Sequence, residues 1–178
     1  MRVRIITILV FGFALLLADS PGRAQAPQPS EYQLKAAFLF NFAKYIDWPA
    51  ESFANEKAPF LIGILGDNPF GATLEQTVAG KKVNEHPITI QPLRAMAEGT
   101  NCHIVFISSS ETKRLPEIIK GLRGPAVLTV SETEKFIEAG GIINFVQEAN
   151  KIRFQINDEA AKAAKLKISS KLLNLAVK

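Results

Sequence analysis

A mixed, mostly parallel β-sheet sandwiched between helices, in a single α/β domain, is the fold class the sequence predicts, and three observations predict it. Short continuous apolar runs bounded by turn residues recur over residues 59–65, 102–107 and 126–130, the pattern of strands covered on both faces. Helix-like segments separate these runs. Near the end, residues 142–147 and 151–156 form two strand patterns joined by Glu148-Ala149-Asn150, a plausible antiparallel hairpin. Strand and helix alternating through the middle, with such a pair at the end, give a Rossmann-like topology closed by a C-terminal antiparallel strand pair.

The chain starts with Arg2 and Arg4, an apolar run over residues 5–17, a polar stretch and then Ala24-Gln25-Ala26. That order reads as a secretory signal peptide, residues 1–26, cleaved after Ala26. The 13 apolar residues fall short of the roughly 20 that span a bilayer. Residues 27–178 then form one domain with one core, exported to the periplasm and not inserted in the membrane. Losing Arg2, Arg4, Arg23 and Asp19 lowers the net charge from +4 to +2. No basic cluster interleaves with aromatics, so nucleic-acid binding has no support. Cys102 is the only cysteine, which excludes an intramolecular disulfide and predicts a small buried hydrophobe.

Taken in order, Ser30 is a plausible N-cap for a helix over residues 31–48, stopped by Pro49. This helix holds six of the chain's 15 aromatics, and only Gln33, Asn41, Lys44 and Asp47 form a polar stripe. A surface helix ordinarily shows a wider polar face, so this one is expected to be covered on more than one side, by its own domain or by a partner. The strand at 59–65 leads through a turn at 66–71 to a helix at 72–79. Residues 86–92 alternate as a strand, and 96–101 form a turn or helical stub. After the strand at 102–107 comes a helix at 111–122, then the strand at 126–130. Ser131 is expected to cap a short helix over 132–138. Asn157 or Asp158 caps a final helical stretch ending in Leu172, Leu173 and Leu175.

The search for chemistry is mostly negative. His86 and His103 have no partner at metal-ligand spacing. Adjacent Cys102 and His103 point to opposite faces of a strand, so they cannot form a nucleophile and base pair. Gly66 and Gly71 lack the Lys-Ser/Thr tail of a phosphate loop. No cofactor, metal or catalytic group is implied, and the chain reads as a non-enzyme. Asp67, Asn68, Ser108, Ser109 and Ser131 lie just beyond strand ends, where α/β sheets gather ligands. They are candidates for a small-molecule pocket, or simply caps of turns and helices.

The stretch from Tyr32 to Tyr45 with Trp48-Pro49, the run from Ile64 to Gly71, and the strand from Cys102 to Ser108 resemble the YfiR family of periplasmic regulators. So do Gly140 to Phe145, Lys151 to Asn157 and Leu166 to Leu173. The first and last blocks are the specific ones. The resemblance implies a compact α/β sandwich, dimeric, that represses an inner-membrane diguanylate cyclase by contacting its periplasmic sensor domain. Such repression lowers cyclic di-GMP and biofilm formation. Family members studied in that role carry disulfides, for which Cys102 here has no mate. The over-apolar helix fits a partner or homodimer interface, with Phe38, Phe42, Tyr45, Trp48 and Phe70 as candidate contacts, although each is equally a core residue by pattern. A solute-binding module that reports to a membrane partner is the alternative.

Overall fold

Ser30 starts the first described element because its hydroxyl accepts the Gln33 N–H while the Gln33 side chain accepts the Ser30 N–H, a reciprocal capping box. In the computed structural model, which describes residues 29–124 and 126–177, this helix, α1, runs over Glu31–Tyr45. The expected signal peptide lies outside the described residues.

The helix ends three residues before the expected Trp48. Pro49 disfavours helical backbone just before it, and Ile46–Asp47 instead form a short strand, β1, paired antiparallel with β9, Lys167–Ile168. The Trp48 indole N–H folds back to donate to the Ala43 carbonyl at 3.0 Å. That bond satisfies one of the carbonyls a helix end leaves without a partner.

The main sheet has seven strands: β2 (Phe60–Leu65), β3 (Lys82–Val83), β4 (His86–Leu93), β5 (Ile104–Ile107), β6 (Leu128–Ser131), β7 (Ile143–Glu148) and β8 (Lys151–Ile156). Their spatial order is β3-β4-β2-β5-β6-β7-β8. The inner five are parallel, and β3 and β8 close the two edges antiparallel. The predicted class holds. Within it, the chain steps outward from β2 to β4, then returns to the other side of β2 to build β5, β6 and β7. That is the doubly wound order with its switch point between the first and third parallel strands.

Alternation along the strands splits the core in two. Ile62, Ile64, Ile104, Phe106, Leu128 and Val130 face a large core shared with α1 and with α2 (Thr73–Val78). Leu65, Val105, Ile107 and Val127 face a smaller core under α3 (Leu115–Leu122). In α3 the buried residues Leu115, Ile118, Ile119 and Leu122 follow i, i+3, i+4, i+7 spacing, which needs cover on one side only.

Three further expected helices are altered. The one expected over residues 111–122 opens as a 3-10 helix, Ser109–Arg114, and is α-helical only from Leu115. Residues 132–138 form turns rather than a helix, because Phe136 is drawn fully into the smaller core and β6 continues through Ser131. The final stretch breaks into α4 (Asp158–Ala163) and α5 (Ser170–Leu173). Between them Lys165 adopts a φ of 58° and the chain extends to pair with β1. The two-residue strand β3 is too short to leave a periodic signal. It meets β4 through Asn84 and Glu85, both at positive φ, the backbone of a tight hairpin turn.

Candidate functional site

The aromatic excess of α1 is largely consumed at home. Phe42 is fully buried, stacked on Phe145 at 5.7 Å and set edge-on to Phe154 at 5.1 Å. Trp48 is buried with its ring 5.0 Å from Phe60. Phe70 is buried between Tyr32 and Phe106. In these packings the side chains of Phe42, Trp48 and Phe70 lie in the domain core, one of the two places their pattern allowed.

Phe38 is half-buried, leaning on Phe154 at 5.3 Å, and Tyr45 is 38% exposed. Leu34, which sequence reasoning passed over, is also 38% exposed. The signal was available, since 34, 38, 41 and 45 follow one helical stripe. At 1.5 Å rise per residue the stripe is about 16 Å long. Leu34 and Tyr45 are the exposed large apolar side chains of α1, whereas Tyr32, Phe38 and Phe40 are half-buried.

The inner end of α1 is clamped by charge. Lys35 is buried, and its ammonium donates to both Glu31 and Glu132. Tyr32 donates to the same Glu132 at 3.1 Å. Burial works against the Lys35 charge, but hydrogen bonds to Glu132 and Glu31 outweigh it and hold its pKa above the ordinary value. Burial and the Glu132 charge likewise raise the Tyr32 phenol. Glu31 and Lys35 are i, i+4 neighbours and legible as a helix pair. Glu132, 97 residues from Lys35, is brought there only by the sheet.

Three of the five crevice candidates engage their side chains in the fold's own turns. Ser131 is fully buried, donating to the Ile107 carbonyl at 2.8 Å and bonded to Thr133. Ser108 is buried and caps the turn of 3-10 helix at Ser109–Arg114 by accepting from Ser110 N–H. Asn68 accepts from Phe70 N–H at 2.9 Å, the Asx turn that composition also allowed. Asp67 and Ser109 are exposed at the rim, and the Asp67 N–H donates to the Ser110 hydroxyl at 3.0 Å. The 3-10 turn sits over Gly66, whose φ is 88° and where a Cβ would lie 2.9 Å from Glu111 Cγ. The switch-point crevice is therefore filled at Gly66 by protein, and two cavities among the described residues open elsewhere.

Cys102 and His103 do face opposite sides. Cys102 is buried in the smaller core and accepts from the Gln91 amide at 3.2 Å, with burial raising its pKa. His103 packs against Phe60, Phe53 and Trp48. Its Nδ1 accepts from Leu61 N–H at 3.1 Å, so the ring proton sits on Nε2. Nε2 closes no hydrogen bond among the described residues. Burial, with the nearby His86, lowers the His103 pKa to about 4. Among the described residues no group of three His, Cys, Asp or Glu side chains could hold a metal ion, and no helix is long and apolar enough to cross a membrane.

Fold and site together define a doubly wound α/β domain with a filled switch point and a residual apolar stripe on its first helix. The chain belongs to the YfiR/HmsC-like family, whose model matches residues 32–177. That family comprises periplasmic, non-catalytic regulators of cyclic di-GMP signalling. No curated protein matches the chain.

Proposed function

We propose that this protein acts in the periplasm as a repressor that binds the periplasmic sensor domain of an inner-membrane diguanylate cyclase, and that it does so as a homodimer. The observation that carries the reading is the stripe of Leu34, Phe38 and Tyr45 on α1. A rigid helix that keeps large apolar groups at the surface is the form in which helix-face recognition works. Aromatic anchors such as Tyr45 commonly supply much of the binding energy. The Lys35 clamp and the Phe42 cluster below hold the stripe in place, so little ordering entropy is spent on docking. Family membership supports the signalling context.

The test is a cellular one. Removing the gene should raise cyclic di-GMP and biofilm, and restoring the wild-type chain should reverse both. The Leu34→Asp and Tyr45→Asp chains should reach the periplasm at wild-type levels yet fail to reverse the rise. Full reversal by both variants would exclude the stripe, and an unchanged cyclic di-GMP level on gene removal would exclude the repressor role.

A further inference from the structure

A half-open cavity of about 610 Å³ lies at the opposite end of the sheet from the filled crevice, between the C-terminal end of α3 and helix α4. Ile119, Leu122, Val127 and Ile142 form its aliphatic floor. The polar groups set among them are already engaged: the Thr129 hydroxyl accepts from Ile142 N–H at 3.1 Å, and the Asn157 carbonyl oxygen accepts from Ala160 N–H at 3.0 Å. The floor is therefore apolar in effect. Its lining contains no aromatic ring, so nothing there stacks a flat ligand.

Charge enters only from side chains at exposed positions. Arg123 and Lys165 line it together with one acid, Glu159. Among the described residues neither Arg123 nor Lys165 is in an ion pair. The Arg123 guanidinium is seated against Gly140, where φ is 96° and an added Cβ would lie 2.8 Å from Arg123 Nη2. Gly140 thus leaves room for the guanidinium to rest on backbone beside the opening.

We propose that this cavity is a binding site for an aliphatic monocarboxylate, with the carboxylate held by Arg123 and Lys165 and the tail laid on the Ile119, Leu122, Val127 and Ile142 floor. Cavities of roughly 300–1,000 Å³ take ligands of this size or larger. A guanidinium matches a carboxylate in a two-pronged geometry that an ammonium alone does not supply. Glu159 leaves the three charged side chains with a net positive charge and disfavours a second anionic group, which argues for one carboxylate rather than two. The site is independent of the α1 stripe, so it stands or falls without the repressor reading.

The test uses the purified domain and decanoate below its micelle concentration, with decanol and decylamine as matched tails, read by calorimetry. Decanoate should bind at least tenfold more tightly than decanol, and decylamine should bind more weakly still. Lengthening the acid from octanoate should tighten binding about fourfold for each methylene buried. Arg123→Gln should weaken decanoate at least tenfold while leaving decanol unchanged. Ala163→Trp, a change at an exposed position on the cavity wall, should block both. Equal affinity for decanoate and decanol, no binding of decanoate at millimolar concentration, or unaltered binding in Arg123→Gln would each overturn the proposal.

Discussion

His103 shows how a single residue couples this fold to pH. Its imidazole is enclosed by Phe53, Phe60 and Trp48 and held as the neutral Nε2–H tautomer by the Leu61 N–H. The unfolded chain takes up the proton near pH 6.5, whereas the folded chain resists until about pH 4. Below pH 6.5 the unfolded state binds more protons, so stability falls as pH falls through this window. The separation corresponds to about 3 kcal/mol. Urea midpoints of the wild type and His103→Asn, in which the amide oxygen replaces Nδ1 as acceptor, should converge as pH drops from 7 to 4. Parallel curves would show that His103 is not the group responsible. Lys35 matters for a different reason, as the cation of a buried cluster. Replacing it by alanine leaves Glu132, which is largely buried, without its cation, at a cost of about 3 kcal/mol. Glu31 is half exposed and recovers little of that. The double change Lys35→Met with Glu132→Gln should regain most of the loss in thermal denaturation; simple additivity of the two single changes would argue against a coupled clamp.

Among the elements, α1 carries the most consequence, because its two ends are fixed by different forces. Its start is local: the capping box is written in Ser30 and Gln33. Its end is set by tertiary pairing, since β9 takes Ile46 and Asp47 into a strand and Trp48 seals the open Ala43 carbonyl. The buried and exposed aromatics of this one helix should therefore behave in opposite ways. Truncating a buried Phe typically costs 3–5 kcal/mol. Phe42→Asp adds a carboxylate inside the Phe145 and Phe154 cluster, so that variant should be unfolded at 25 °C by circular dichroism. Tyr45→Asp should keep the wild-type spectrum and melting temperature within about 2 °C, because surface changes usually fall within 0.5 kcal/mol. The helix pattern gave the candidates for both fates. It did not sort them, since a stripe identifies a face and not what lies against it.

For the molecule as a whole, the two halves of the doubly wound sheet leave different things available. The switch point, the default ligand crevice of this architecture, is occupied by the Ser109–Arg114 turn over Gly66. The α1 stripe and the cavity beside Arg123 lie open elsewhere on the domain. Sedimentation equilibrium of the purified protein should give a dimer. A wild-type monomer at concentrations of 100 μM would remove the homodimer from the proposal without touching the cavity.

The amino-acid sequence by itself determined the class of fold, the position of most strands, the first helix cap and the buried place of Cys102. These depend on period, turn chemistry and burial of short apolar runs, all of which are local. Only the tertiary structure decided where Phe42, Trp48 and Phe70 go, that Lys35 meets Glu132, that residues 132–138 are drawn off a helix by Phe136, and that the crevice at Gly66 is closed. Each of these is a contact between segments distant along the chain. The free energy that decides it comes from whichever neighbour the sheet order delivers, which no local pattern specifies.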